Sequence, residues 1–265
     1  MAKILTARQA VDTYFYDGAT VTFGGFANGL MHPEEIMVAL EEAARSSGHP
    51  RGLRVVYASG QGDSGERGLN HLAVDGMCTT VIGGHWGLAP KLGGLAAENK
   101  LAAYNLPQGV ISGLFREIAA KRPGVITHVG LDTFVDPRLE GGKMNRAAHE
   151  AGDMVKLIEL EGEEKLFYPA FPIDIAVIRA TYADERGNCT FEREGVYAEA
   201  LAHAKALGIA TAEADGSFRP NDPVTRQDAM VFLLRAMQAV NRSVPNAYDS
   251  YLSRFPDGAS VADYA

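Results

Sequence analysis

The chain has 265 residues, enough for one large domain or for one medium and one small domain. Lysines and arginines number 25 against 33 aspartates and glutamates, a formal charge of −8 that argues against a general nucleic-acid binder and still allows a local basic pocket. Apolar residues make up 46% of the chain, as in an ordinary globular protein, and no apolar run is long enough to cross a bilayer.

The start, Met1-Ala2-Lys3-Ile4-Leu5-Thr6, lacks the apolar stretch of a secretory signal, so the expectation is a cytoplasmic protein with no membrane partner. Up to about residue 190, short β-branched runs alternate with helical stretches, with glycine at the junctions. Residues 19–23 read as a strand followed by the turn Gly24-Gly25-Phe26. Pro33-Glu34-Glu35 opens a helix whose apolar face is expected to carry Ile36, Val38, Leu40 and Ala43, because proline loses no useful donor there and acids suit the helix dipole. Residues 53–58 read as a strand, 69–77 as a helix, 79–82 as a strand and 88–99 as a helix. Residues 104–106 are expected to be extended, 110–120 helical and 127–130 extended, with later strands at 154–160 and 173–179. Alternating strands and crossover helices imply an α/β fold, a mostly parallel sheet flanked by helices, with ligands at the carboxyl ends of its strands.

Cys78 and Cys189 lie far apart in apolar or strand-like settings and read as buried free thiols, and no Cys/His cluster has zinc spacing, so no metal site is expected. Gly60-Gln61-Gly62-Asp63-Ser64-Gly65 has dinucleotide-fingerprint spacing after a strand. The context disagrees: Glu66 and Arg67 follow where a tightly packed helix should begin, and the next strand ends in Gly83-Gly84-His85 rather than an acid. His85 is expected to be packed and hydrogen-bonded. Asp132 and Asp136, flanking a Thr-Phe-Val stretch, are expected to hold loops.

After Gly195 the character changes. Residues 197–209 form an alanine-rich helical pattern with Leu201, Ala204 and Leu207 on one face. The loop Asp215-Gly216-Ser217-Phe218-Arg219-Pro220-Asn221-Asp222-Pro223 stops it, and a second helix is expected over 227–240. The expected domains are therefore 1–195, α/β, and 196–265, small and all-helical.

Several segments of the first part share one pattern: Phe23-Gly24-Gly25-Phe26, Gly60-Gln61-Gly62-Asp63, Ile82-Gly83-Gly84-His85-Trp86-Gly87, Tyr104-Asn105-Leu106-Pro107-Gln108-Gly109 and Thr133-Phe134-Val135-Asp136-Pro137-Arg138. With Leu139-Glu140-Gly141-Gly142-Lys143-Met144-Asn145, Phe171-Pro172-Ile173-Asp174 and Ala183-Asp184-Glu185-Arg186-Gly187-Asn188, they resemble in order and spacing the N-terminal half of class I coenzyme A transferases, from about residue 3 to 194. The resemblance implies transfer of coenzyme A from an acyl thioester to a carboxylic acid, with coenzyme A and acyl-CoA as substrates and no further cofactor. A glutamate is the nucleophile of that family, and it lies in the second half. The resemblance implies that Gln108, Gln61 and the turn residues Gly24, Gly25, Phe26 and Gly109 border that glutamate or the substrate carboxylate. No stretch after Glu194 resembles the glutamate-bearing motif, and Glu192 and Glu194 read as a solvated strand end. The expectation is a chain without its own catalytic residue, inactive alone or dependent on a second-half partner.

The later part resembles an S-layer homology repeat in Gly208-Ile209, in Asp215-Gly216-Ser217-Phe218-Arg219-Pro220 and in Val224-Thr225-Arg226, with Phe255-Pro256-Asp257 resembling the opening of a next repeat. That resemblance implies binding of acidic, pyruvylated cell-wall polysaccharide through Arg226 and Thr225, the arginine being suited to carboxylates. A lone repeat has a small core, so self-association into a homo-oligomer is also expected. The alternatives to a transferase half are thus a wall-binding or self-associating module on an inert α/β carrier, and a chimeric fusion without joint function.

Overall fold

The computed structural model of the chain describes residues 4–25, 27–28, 32–183 and 189–190. The first helix, α1 (Ala7–Tyr14), starts at a capping box: the Thr6 hydroxyl accepts from the Gln9 amide and the Gln9 side chain accepts from the Thr6 amide. Strands β1 (Thr20–Phe23) and β2 (Ala27–Asn28) precede α2 (Glu34–Ser47). Glu34 and Glu35 sit in its first turn, and Gly48 ends it in the left-handed conformation. The face of α2 that is buried carries Met37, Leu40, Ala43 and Ala44, while Ile36 and Val38 are half-buried. The expected stripe was therefore turned: 37, 40 and 44 follow the helical repeat, and 36 and 38 do not share one face.

Strand β3 (Leu53–Tyr57) and the short β4 (Gln61–Gly62) lead to a single 3-10 turn, Leu69–Leu72. The helix expected over 69–77 is only that turn, because the chain reverses at Gly76, with φ of 76°, directly into β5 (Cys78–Gly83). Then come α3 (Pro90–Ala97), β6 (Ala102–Asn105), α4 (Gln108–Ala119) and β7 (Gly124–Thr127). Residues 128–130, expected to be extended, form a turn, and the strand lies just before them. The remaining elements are α5 (Arg146–Ala151), β8 (Lys156–Leu160), β9 (Glu163–Pro169), β10 (Ile175–Val177), β11 (Tyr182–Ala183) and β12 (Cys189–Thr190).

Five strands form a fully parallel sheet in the order β10-β1-β3-β5-β6. Its register places Ile175, Val21, Val55, Val81 and Ala103 in one row and Val56, Ile82 and Tyr104 in the neighbouring row. Successive rows point to opposite faces, so each face gets its own core. On one face Val21, Val55 and Val81 pack with Met37, Leu40, Leu72 and Leu92 from α2, the 3-10 turn and α3. On the other, Val56, Ile82 and Tyr104 pack with Val110, Ile111 and Leu114 of α4, Ala148 of α5 and Leu166 and Tyr168 of β9. Strand β9 belongs to a separate antiparallel sheet, β7-β9-β8, that helps to cover this second face. Cys78 is buried, with its thiol pushed up to about 12 by burial; the side chain of Cys189 lies outside the described residues.

The boundary placed near residue 195 and the two helices expected beyond it lie outside the described residues. Among the described residues, no helix is long and apolar enough to cross a membrane.

Asp136 anchors the loop between β7 and α5. It is fully buried and accepts from the backbone amides of Asp132 and Arg138, both at 2.9 Å. The Arg138 guanidinium grips both carboxylate oxygens, at 3.0 and 2.7 Å. The loop-holding role expected for Asp136 is thus the role it has, and these bonds, that of Arg138 foremost, hold its carboxyl well below the usual carboxylate range. A depressed carboxylate contributes stability that is complete above about pH 4 and is lost as pH falls toward the folded-state value. Asp136→Asn is expected to lower stability by about 1–3 kcal/mol at neutral pH. It should also flatten the loss of stability below about pH 4, which urea denaturation at a series of pH values will measure.

Candidate functional site

The parallel strands all end at one edge, and the turns that follow them crowd together there. After β1 come Gly24 and Gly25; after β3, Ala58, Ser59, Gly60 and Gln61; after β5, Gly84 and His85; after β6, Leu106, Pro107 and Gln108. Ligands of open α/β sheets sit at this edge.

Gln61 is nearly inaccessible, with 1% of its surface exposed. Its side-chain amide donates to the carbonyl of Phe23 at 2.7 Å and so ties the turn after β3 to the end of β1. The pairing of Ala27 with Gln61 and Asn28 with Gly62 between β2 and β4 continues that tie. Its Oε1 is buried with no hydrogen-bond partner. Gly25 lies against it: a Cβ there would stand 2.8 Å from Oε1 of Gln61 and 2.9 Å from Cα of His32. Gly24 donates its amide to Val177 of β10 at 2.8 Å, which fixes the start of the same turn.

Gln108 is the first residue of α4 and is half-buried. Its chain runs over Gly84, where a Cβ would fall 2.6 Å from Cγ of Gln108 and would overlap the Ala58 carbonyl. The ends of β3 and β5 and the start of α4 therefore meet at a point that only glycine permits. Gly109 is exposed with open space around it, so nothing in its surroundings demands glycine. Phe26 lies outside the described residues, as do Glu192, Glu194, Thr225 and Arg226.

The packed, hydrogen-bonded state expected of His85 is not what is found: the residue is exposed, beside Gly60, and its neighbour Trp86 takes the inner position. The Trp86 ring meets Tyr57 edge-on at 6.2 Å and its indole donates to the Tyr104 carbonyl at 3.3 Å. Only one of two adjacent side chains on a strand-end turn can point inward, and the larger apolar ring has the greater burial gain. Where a dinucleotide fingerprint needs a helix, Asp63 instead closes a turn by accepting from the amides of Gly65 and Arg67 at 2.9 and 3.0 Å.

One polar chain at this edge escaped the sequence reading. His32, 1% exposed, places Nε2 2.5 Å from Glu34, which also accepts from the Gly68 amide at 2.9 Å and lies 3.1 Å from Nε2 of His71. His71 Nδ1 in turn meets Glu41 at 2.5 Å. Burial holds the His32 imidazole below its ordinary range, more than the neighbouring Glu34 raises it, so the ring is neutral at physiological pH. Partial burial raises Glu34 and Glu41, but hydrogen bonds outweigh it and hold both below the usual carboxylate range. The signal was present in the spacing: Glu34 and Glu41 fall seven positions apart on one face of α2.

The edge thus offers the Gln108 amide side chain and a helix start, with His32, Glu34 and Asp63 committed to internal partners. Among the described residues no group of three or more His, Cys, Asp or Glu side chains is placed so that it could hold a metal ion. Such an arrangement can orient a substrate carbonyl or carboxylate, and it defines an α/β protein whose binding edge is built from glycine turns and amide side chains.

Comparison with known proteins places that architecture. The model of the coenzyme A transferase family matches residues 4–221, and the chain belongs to that family. The match continues past the boundary expected at 195. Among curated proteins the chain is similar to the caffeate CoA-transferase of Acetobacterium woodii, with 49% identity over 207 residues, 78% of this chain and 38% of that protein. Among solved structures it resembles the acyl-CoA transferase YdiF of Escherichia coli O157:H7, with a TM-score of 0.72 and 40% identity, covering 78% of this chain and 40% of the other. The chain thus spans about two fifths of the length of these relatives. A coenzyme A transferase subunit alpha of Bacillus subtilis is 28% identical over 179 residues, 67% of each protein.

Gly84→Ala is expected to destabilise the fold by about 1–3 kcal/mol through overpacking at the Ala58 carbonyl. Gln61→Leu should cost a similar amount, about 1–3 kcal/mol, because the buried Phe23 carbonyl loses its donor. Gly109→Ala should lie within about 0.5 kcal/mol of the parent in the same chemical denaturation series.

Proposed function

We propose that the chain supplies one half of an acyl-CoA:carboxylate coenzyme A transferase and works with a second half that carries the nucleophilic glutamate. The observation that supports this is the likeness to proteins named as alpha subunits, among them one of Bacillus subtilis that is 28% identical over 179 residues. The second half would come from a partner polypeptide, as that name implies for the relative. A solved relative, YdiF as a thioester complex with coenzyme A, fits the same chemistry.

In the proposed reaction the partner's glutamate carboxylate attacks the thioester carbonyl of acyl-CoA. The carbon–sulfur bond breaks, coenzyme A leaves as thiolate, and a mixed anhydride remains. The thiolate then attacks the glutamyl carbonyl, releasing the first carboxylate and leaving a glutamyl thioester. The acceptor carboxylate repeats the steps in reverse order. The role of this chain is positional. The half-buried Gln108 at the start of α4 donates its amide hydrogens to the substrate carboxylate or the developing oxyanion. Gly24 and Gly25 let the backbone approach it, and Gln61 holds their turn against β3 through Phe23. Gly109, exposed next to Gln108, borders the same opening.

Incubation of the purified chain with acetyl-CoA should give no covalent adduct by intact mass. Co-purification with the second half of YdiF should restore coenzyme A exchange between acetyl-CoA and a second carboxylate. In that pair Gln108→Ala should lower kcat/KM by about tenfold or more, the loss expected for one oriented donor. Exchange by the chain alone at the rate of the pair would overturn the reading.

The loop from Asp215 to Pro223 and the Thr225-Arg226 pair favour a second reading for the later segment: a repeat that binds acidic, pyruvylated wall polysaccharide. Sedimentation of the chain with pyruvylated polymer, lost in Arg226→Ala and retained in Gln108→Ala, is the expected result. Equal sedimentation of both variants would overturn it.

A further inference from the structure

A second polar cavity lies away from the glycine turns. Its volume is about 310 Å³, at the lower end for small-molecule sites. Arg54 and Thr80, from the early parts of β3 and β5, form one wall; residues 151–154 and 169–171 form the others. Arg54 stands three residues before the carboxyl end of β3, about 10 Å along the strand, so the cavity is separate from the edge just described.

Arg54 is half-buried. Its Nε is buried with no hydrogen-bond partner, and its Nη2 reaches only the Met154 sulfur at 3.9 Å, a weak acceptor. No carboxylate among the described residues pairs with it, and Asp153, on the cavity rim, is bound to Lys143. The guanidinium lies over the Phe171 ring, 4.6 Å from its centroid. Stacking offsets part of the desolvation of the cation and leaves the donors along its edge unspent. A half-buried guanidinium with unspent donors is costly unless an anion meets it.

The rest of the lining narrows the class of anion. The single arginine charge, with Asp153 at the rim, suits a monoanion and opposes a dianion. The Thr80 hydroxyl lies on the arginine wall and adds a donor for a second carboxylate oxygen. Phe171, Met154 and Pro169 supply apolar surface. The Tyr104 hydroxyl is committed to the carbonyls of Ala148 and Gly152, at 3.0 and 2.8 Å, so its ring contributes more apolar wall. We propose that this cavity binds a small monocarboxylate with a compact apolar body, its carboxylate bridging the edge of the Arg54 guanidinium and the Thr80 hydroxyl.

Benzoate titrated into the full chain by isothermal calorimetry should bind saturably with Kd of about 1 mM or tighter. Arg54→Met should weaken binding by about tenfold or more and Thr80→Val by about threefold. Inorganic phosphate should neither bind as tightly nor displace benzoate. Absence of saturable benzoate binding, or equal affinity in a folded Arg54→Met variant, overturns the site; displacement by phosphate at equal concentration overturns the monocarboxylate class. If Arg54→Met does not fold, unchanged affinity in Thr80→Val is the overturning result.

Discussion

Everything at the binding edge depends on how closely its turns approach one another. At Gly84 the space of a single methyl group is already filled by the Ala58 carbonyl and the Gln108 side chain. At Gly25 it is filled by Oε1 of Gln61 and the backbone of His32. These contacts join turns that follow four different strands, so the position of Gln108 relative to β3 and β5 is settled by packing rather than by loop flexibility. A side chain placed this way is pre-organised: its donors need little further ordering when a ligand arrives. The requirement for glycine is thus geometric at two points, and the exposed Gly109 shows that it is not general along the motif.

Close approach also decides which polar groups are available. Gln61 gives its amide hydrogens to the Phe23 carbonyl and is nearly inaccessible, which makes it a tie between turns, with Oε1 its remaining open atom. Glu34 is enclosed by His32, His71 and the Gly68 amide, so its charge holds α2 against the 3-10 turn. Gln108, half-buried at the mouth of a helix, keeps its amide at the opening. A carboxylate nucleophile needs the opposite treatment, exposed to substrate and flanked by free donors, and Glu34, half-buried among His32, His71 and the Gly68 amide, does not meet that condition.

The parallel sheet was legible because strands buried on both faces leave short, continuous apolar runs, as residues 53–57 and 78–83 do. The helices after Pro33 and Pro107 were legible from their proline starts. Strand β9 was not, since its first three residues, Glu163, Glu164 and Lys165, are polar and alternate with nothing apolar. Helix α1 was missed although Thr6 and Gln9 spell a capping box, because its apolar face buries only Val11. At the site, the glycines and Gln108 were legible from local pattern. The ties from Gln61 to Phe23 and from Glu34 to His71 were not, because they join residues 38 and 37 positions apart whose meeting depends on the tertiary fold. His85 against Trp86 shows the same limit: the sequence places both on one turn, and only packing decides which ring goes inside.

The fold separates what holds the molecule together from what performs its chemistry. Each face of the sheet has its own buried cluster, one under α2 and α3 and one under α4, α5 and β9, and both lie between the strands and their covering elements rather than at the edge. The Asp136–Arg138 pair secures the long loop on the second face without reaching the turns. Folding energy is therefore gathered in the two layers, and the edge is left to display amides and backbone donors.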